Sequence, residues 1–579
     1  MPGLKRWQTA PAAPPDLLAR YRAMSAVLAQ TLYNRGLTDE AVAARFLQAD
    51  DPAAGGVLGF RGKRLSIDRA LSRIRQAIKA RELIAVYGDF DADGVTSTAL
   101  LMQTLRSLGA NAVAYIPHRV DEGYGLNSDA LIRLARQGVK LVITVDCGIR
   151  SSVEVEDGKA AGLDIIVTDH HTIGPDIPDA YAVINPKLGD VAYTEDMLAG
   201  VGVAFRLAEA LLTIAGIQTG RGGSESQAPL TAEDLLDLVA IGTVADLAPL
   251  NRLENRALVK RGLAMLNQTK RPGLRALAEV AGLKPGSINA SSIGFAIGPR
   301  INAAGRLDSA MIAYELLVTR DDTRAADLAL QLQNLNLQRQ ELTRQAQEMI
   351  RSQLLNAEDE PLIFAGDPSF KPGIVGLVAG RLVEEFYRPA IILEQGETES
   401  RASCRSIPGF DITSALDQCA DLLVRHGGHA QAAGFTVVNQ NIPALRERLM
   451  ALARQALDAQ ELAPTIDIDM ELDARAIALE LAVELQRLDP TGHSNPPPTF
   501  VTRGLRVLEH RLVGKDERHV RLKLGRNGLP PVDAIGFHLS EAYPNDAARV
   551  DVVYQLEINE WNGQRTPQLN LVDVRRASS

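Results

Sequence analysis

Asp89, Asp91 and Asp93 sit at every second position in 83–101, LIAVYGDFDADGVTSTALL, where an apolar run breaks off before a helical pattern begins. Three carboxylates crowded in one short stretch repel one another unless a cation neutralises them. An all-oxygen cluster suits a hard ion such as Mg²⁺ or Mn²⁺. A solvated acidic turn would produce the same D-x-D-x-D string, so the reading needs further residues. Asp146 follows the run LVITV, and Asp169, His170 and His171 follow DIIVT. Asp246 closes the otherwise apolar stretch DLVAIGTVADLAPL, where a lone carboxylate is costly unless it has a partner.

The elements that must position these groups alternate. Strand Leu83–Tyr87, helix Gly94–Leu108, strand Ala112–Ile116, helix Ser128–Arg136, strand Leu141–Val145, helix Val153–Ala161 and strand Ile165–Thr168 predict a parallel sheet with helices on both faces. The polar groups then fall at three strand-to-helix junctions on the carboxyl edge, where such sheets bind ligands. Each element taken singly has an ordinary explanation, a turn aspartate or a packed histidine. Three junctions converging on one edge point to a metal site.

The 579 residues exceed a single hydrophobic core. With 46% hydrophobic and 23% charged residues, the composition is that of a globular protein. Three cysteines without a C-x-x-C pair argue against a disulfide framework or thiolate zinc site and for a reducing, cytoplasmic setting. No stretch reads as a signal peptide or membrane span. A formal net charge of −9 excludes a uniformly basic surface but not a local basic path for phosphates.

Downstream, Gly216–Pro229 reads as a Gly/Ser-rich loop. PRINAAGRLD offers Arg300, Asn302 and Arg306 among small residues, and Arg forks suit phosphate oxygens. Asp321–Asn356 reads as one helix of about 50 Å with an apolar stripe through Leu328, Leu332, Leu335, Leu342, Ala346 and Met349, an intramolecular strut or else a dimer seam. A second α/β unit follows, with Ser403 and Arg405 in SCRSI and the segment HGGHAQAAGF. Its Gly427, Gly428 and His429, read as lying ahead of a helix, form a candidate anion cradle. Between Arg503 and Arg526 eight Lys/Arg face three acids, and VRLKL places Arg521 and Lys523 on one side of a strand. A small β-barrel with such a groove would bind single strands, stacking bases on Phe500, Phe537 or Trp561; a charged solvent face is the plainer alternative.

Set side by side, VYGDFDADG, VDCG, TDHH and GTVADLAPL, with GPRINAAGR, RSIPGFD and GGHAQAAG, strongly resemble the DHH/DHHA1 phosphoesterase superfamily, in particular its single-strand-specific exonuclease branch, from about residue 30 to 575. The resemblance implies a parallel-sheet DHH catalytic domain (61–320) after an N-terminal segment (1–60). A long connecting helix (321–356), a second α/β DHHA1 nucleotide-binding domain (357–460) and an OB-like nucleic-acid-binding barrel (461–579) would follow. It implies that Asp91, Asp93, Asp146, His170 and Asp246 hold two divalent cations, Mn²⁺ or Mg²⁺, with Asp89, His171, Arg300 and Arg306 acting on the reacting phosphate. Asn302, Ser403, Arg405, Gly427, Gly428, His429, Arg521 and Lys523 would then bind the strand. The implied activity is 5′→3′ hydrolysis of single-stranded DNA to mononucleotides in repair and recombination. The implied setting is a cytoplasmic monomer with single-strand-binding protein and a helicase as partners. A DHH/DHHA1 phosphodiesterase for short oligonucleotides or cyclic dinucleotides, and a non-catalytic DNA-binding scaffold, are the alternatives.

Overall fold

The protein, a computed structural model, is described over residues 5–21, 24–52, 60–62, 65–119, 121–188, 191–193, 197–216, 230–354, 360–458, 463–526 and 528–577. The expected loop Gly216–Pro229 lies outside these residues apart from Gly216. Two compact units form: one from Pro52–Ala248 and Leu258–Pro464, the other from Lys5–Asp51, Pro249–Ala257 and Thr465–Ser579.

The first unit holds the expected parallel sheet, in the order Asn111–Tyr115, Leu83–Tyr87, Val139–Thr144, Asp164–Thr168, Ala182–Ile184. Every neighbouring pair is parallel. The strand Leu83–Tyr87 lies between its successor on one side and Val139–Thr144 on the other, so the chain order reverses there. A crevice opens at such a switch point. The acidic segment and Asp146 leave the two strands that flank it. The fifth strand, Ala182–Ile184, is three residues long and carries no sequence signal of its own. One refinement concerns the first helix. It begins at Ala92 because the Asp91 side chain accepts from the backbone N–H of Asp93 and Gly94, so Asp93 lies in the helix and not in the preceding loop.

The connecting helix runs from Asp322 to Leu354. Beyond it, a five-stranded mixed sheet has the order Leu423–His429, Ala432–Val438, Glu399–Arg405, Ala390–Gln395, Ile363–Asp367, with only the last pair parallel. HGGHAQAAGF is therefore a strand, turn and strand. The expectation of glycines ahead of a helix is overturned, because alternate residues of this segment pack on the core of the second sheet and antiparallel pairing satisfies its backbone.

In the second unit, strands Thr499–Val513, His519–Arg526, Leu529–Gly536, Gln564–Arg576 and Arg549–Trp561 close into a barrel, since the first also pairs with the last. Residues of the N-terminal segment, among them Leu28, Leu32 and Phe46, share the barrel's core with Phe500, Leu522 and Tyr554. Lys5–Asp51 of that segment is thus part of this unit.

Candidate metal centre and anion-binding face

Asp146 leaves its strand at φ +62°, in the left-handed region, and is 2% exposed. A non-glycine residue held there is strained, and strain of this kind collects at functional sites. The turn aims its carboxylate at His170, whose Nε2 lies 3.0 Å from Asp146 Oδ1, 3.8 Å from Asp246 Oδ2 and 3.9 Å from Asp93 Oδ2. Three overlapping groups each place their ligand atoms within 4.8 Å of one another: Asp146, His170 and His171; Asp93, His170 and Asp246; Asp89, Asp91 and Asp146.

Asp89 Oδ1, Asp146 Oδ1 and His170 Nε2 are buried without a hydrogen bond of sound geometry, although the last two are close. Buried polar atoms normally find partners, so these three fit a site whose partner is an ion. The predominance of carboxylate oxygens suits a hard ion such as Mn²⁺ or Mg²⁺, and the imidazole favours Mn²⁺ of the two.

Electrostatics agree. Burial first, then the charges of neighbouring aspartates, pushes the carboxyls of Asp89 and Asp146 well above their ordinary range, Asp93 up to about 7 and Asp246 up to about 9. Burial, then the charge of His171, takes His170 down to about 3, leaving a neutral imidazole able to act as a ligand.

The surrounding backbone fixes these groups. Asp93 accepts from the N–H of Gly200 at 2.7 Å and of Val201 at 2.8 Å, at the start of helix Gly200–Ile214. A Cβ on Gly200 would come within 2.6 Å of Asp146 Cβ, so only glycine lets this helix reach the site. Gly242 is comparable: its Cβ would lie 2.8 Å from Asp93 Oδ1.

Two further residues complete the site: one was placed at the sheet edge by the sequence but given no role, the other was missed. Asp169 accepts from His170 N, His171 N and Ile149 N, and its Oδ1 is 2.8 Å from His171 Nδ1. It orients the pair of histidines. Burial opposes the charge on His171, but the Asp169 hydrogen bond and charge prevail and raise its pKa. The clue was available, since Asp169 adjoins both histidines. The second is Arg119, stacked 4.0 Å over the Phe90 ring with its Nε unpartnered, facing the charges of Asp89 and Asp91. No local pattern marks it.

Other predicted residues divide. Arg306 feels the charge of Asp91 and donates to Gly373 O at 2.8 Å. Arg300 instead donates to Gln333 Oε1 and Ala296 O, away from the acids. Asn302 accepts from Ala92 N at 2.7 Å, so it props the acidic loop.

On the second sheet, cross-strand register aligns Ser403, Gly434 and Gly427 in one row and Arg405, Ala432 and His429 in the next, all on one face. The row beyond is Arg401, Thr436 and Arg425. A cavity of about 350 Å³ opens among Arg401, Arg425, Gly427 and Gly434. Gly427 has open space where a Cβ would stand. Gly428 does not: its Cβ would meet Ala432 O at 2.4 Å, and its φ is +151°. Gly428 shapes the hairpin, whereas Gly427 lies on the open face with Ser403 and Arg405.

On the barrel, Arg521 lies 4.0 Å from Asp533 and Lys523 3.5 Å from Glu509. Phe500 is fully buried in the core and cannot stack on a base, whereas Phe537 and Trp561 are exposed, Trp561 by 74%.

Comparison with known proteins places this geometry. Residues 83–243 match the DHH family N-terminal domain, 359–455 the DHHA1 domain and 468–573 the RecJ OB domain. The single-stranded-DNA-specific exonuclease RecJ of Dickeya dadantii is 40% identical over 521 residues, covering 87% of this chain and 89% of that protein. The chain belongs to the RecJ family. Bacillus subtilis RecJ is 38% identical over 553 residues, 95% of this chain and 68% of that one. The crystal structure of Thermus thermophilus RecJ with Mn²⁺ superposes with a TM-score of 0.82 at 32% identity, covering 99% of this chain and 80% of that chain; the Mg²⁺ complex gives 0.76 at 31%, covering 99% and 79%. The order of a DHH sheet domain, a DHHA1 domain and an OB barrel is the RecJ arrangement.

Proposed function

We propose that this chain is a metal-dependent exonuclease that degrades single-stranded DNA 5′→3′ to mononucleotides, serving repair and recombination. The observation that carries the reading is the convergence of Asp89, Asp91, Asp93, Asp146, Asp246 and His170 around buried, unpartnered ligand atoms, in a chain 40% identical to a named single-stranded-DNA-specific exonuclease. Residues 61–320 make up the catalytic domain, 321–356 the connecting segment with its helix Asp322–Leu354, 357–460 the nucleotide-binding domain and 461–579, with Lys5–Asp51, the strand-binding unit.

Asp91, Asp93, Asp146, His170 and Asp246 are the residues that would hold two divalent cations, which supply Lewis-acid activation of water and charge stabilisation at phosphorus when bound. Gly200, Gly242 and the capped helix Ala92–Ser107 hold these ligands at fixed spacing, so little reorganisation accompanies reaction. His171, oriented through Nδ1 by Asp169 and with Nε2 3.3 Å from the Tyr124 hydroxyl, is placed to hold or deliver a proton. Arg306 and Arg119 offset charge on the phosphate, while Ser403, Arg405 and the open backbone at Gly427 receive the terminal phosphate.

Single-stranded DNA is the substrate. A monomer in the cytoplasm, acting with a helicase and single-strand-binding protein, completes the reading on family likeness; no described helix is long and apolar enough to cross a membrane. End-labelled single- and double-stranded DNA and RNA, incubated with Mn²⁺, Mg²⁺ or chelator, test it. Metal-dependent release of mononucleotides from single strands only, starting at the 5′ end, is expected. Hydrolysis that persists in chelator, or proceeds equally on duplex, sinks the proposal.

A further inference from the structure

The cavity on the second sheet lies to one side of the residues assigned to the terminal phosphate. Its floor is the cross-strand pair Gly427 and Gly434, which carry no side chains, and its wall is the row Arg401, Thr436 and Arg425. Ser403 and Arg405 do not line it. Helix Pro372–Phe386 closes their side instead, since a Cβ on its Gly376 would come within 2.9 Å of Ser403 Oγ and 3.4 Å of Arg405 Nη2. The face has a direction. Arg405 and Asp91 both bear on Arg306, so the Arg405 end of the strand is the one toward the metal centre. Arg401 stands two residues back along that strand, about 7 Å away at the rise of a β-strand.

Two exposed guanidiniums flank Thr436 there. Thr436 Oγ1 accepts from Arg425 Nε at 3.2 Å, which orients that guanidinium, leaves its terminal nitrogens for a ligand and keeps the threonine's own proton for a further contact. Glu394, the cross-strand neighbour of Arg401, feels its charge. Among the described residues, neither Arg401 nor Arg425 forms an ion pair with a carboxylate. The aromatic residue beside the cavity, Phe435, is buried in the core of the sheet and offers no platform for a base. Bare backbone, two unpaired cations and a hydroxyl suit an oxyanion.

Connectivity decides which anion can lie there. With the terminal phosphate at Ser403 and Arg405 and the first internal linkage at the metal centre, a group in the cavity must hang from a remaining oxygen of the terminal phosphate. Further phosphates are anions attached in that way. We propose that Arg401, Arg425 and Thr436 form a subsite for the β- and γ-phosphates of a 5′-triphosphorylated single strand, the end left when a strand is begun from a nucleoside triphosphate. The inference rests on the exonuclease reading and extends it to a further class of end. The reaction is the same in kind: the oxygen of water bonds to phosphorus at the first internal linkage, the bond from that phosphorus to the 3′-oxygen breaks, and the proton goes to the 3′-oxygen. The first product is then a nucleoside 5′-triphosphate, and the remaining strand carries an ordinary 5′-phosphate.

The test compares full-length wild type, Arg401→Gln, Arg425→Gln and the double variant on one single-stranded DNA sequence ending in a 5′-monophosphate or a 5′-triphosphate. In chelator, wild type is expected to bind the triphosphate end about tenfold more tightly than the monophosphate end, the scale of one charge-assisted hydrogen bond. Each single variant should cut that ratio about threefold, and the double variant should bring it to about one. With Mn²⁺, the first turnover of wild type on the triphosphate strand should release a nucleoside 5′-triphosphate. Equal binding of the two ends by wild type, a ratio that survives in the double variant, or release of pyrophosphate in place of the nucleoside triphosphate overturns the proposal. If the double variant does not fold, the two single variants on the exposed face give the same ratio. Wild type that cleaves monophosphorylated strands but binds both ends alike loses this subsite alone; wild type that cleaves no single strands loses the exonuclease reading itself.

Discussion

The acidic edge of the parallel sheet and the basic strand of the barrel look alike in sequence, each a dense group of one charge. In the fold they differ in what surrounds the charges. Asp93 and Asp146 are buried among other acids, and Asp146 Oδ1 lacks a hydrogen-bond partner, while Arg521 and Lys523 are about half-exposed and face Asp533 and Glu509 from neighbouring strands. Burial without a counter-charge marks a ligand site. Exposure with one marks a surface whose net effect is small.

The largest expected effect follows from removing one buried charge. Asp146→Asn keeps the shape and tolerates the left-handed turn, so the fold should survive. Losing a metal ligand in a two-metal site should cost at least about three orders of magnitude in turnover, from several kcal/mol of lost charge stabilisation. A purified variant that turns over at the wild-type rate across a Mn²⁺ titration would take Asp146 out of the site.

Proton linkage separates the regions next. Metal-free, the folded protein keeps protons on Asp93, to about pH 7, and on Asp246, to about pH 9, that the unfolded chain releases near pH 4. The native state therefore binds more protons, and stability falls as pH rises from 7 to 9. Cations bind the deprotonated carboxylates, so Mn²⁺ should raise the melting temperature more at pH 9 than at pH 7, by a few degrees for each kcal/mol, roughly. Calorimetry with and without metal measures this. A metal-free melting temperature that climbs between pH 7 and 9 contradicts it, and Asp246→Asn should flatten the slope.

Much of the first region was legible because strand and helix periods are local and the sheet rule converts them into a shared edge. Asp91, Asp93, Asp146 and His170 come together as that rule requires, and Asp246 joins them from the end of helix Leu236–Ala245, where the sheet rule says nothing and the family resemblance pointed to it. The second sheet was less legible. HGGHAQAAGF has the composition of a phosphate loop but pairs as a hairpin, and which glycine faces ligand depends on register. On the barrel the sequence window was too narrow: counting charges within Arg503–Arg526 leaves out Glu471, Asp533 and Asp551, which pair with Arg503 and Arg521 from outside it.

Register supplies a sharper test of the second sheet than either glycine alone. Gly427→Val fills open space on the face of Ser403 and Arg405 and should cut preference for a 5′-phosphate about tenfold, the worth of one charged hydrogen bond, with little loss of stability. Gly428→Val should instead lower stability by about 1–3 kcal/mol through backbone strain and collision with Ala432. End preference compared on phosphorylated and hydroxyl-ended strands, beside thermal melts, distinguishes them. Undiminished preference in Gly427→Val means that the sheet face is not the end-binding surface.

The smallest effect belongs to the barrel. Each single-strand phosphate contact made by a free cation contributes about 0.7 to the salt slope, so two free cations would contribute about 1.4. Arg521 and Lys523 already face carboxylates at 4.0 and 3.5 Å. A phosphate must compete with those acids, and removing both cations also leaves two carboxylates to repel the strand. The net change in Arg521→Ala with Lys523→Ala should be a two- to threefold loss on long strands, about half a kcal/mol. The salt slope should fall by well under about 1.4, and a trinucleotide too short to reach the barrel should show no change. By contrast Trp561, exposed at its hairpin tip, offers a face for stacking worth about 1–3 kcal/mol per base, so Trp561→Ala should exceed the double charge removal. If the double variant loses the full slope while Trp561→Ala changes nothing, the barrel grips DNA by its charges after all, and the contrast with the acidic edge fails.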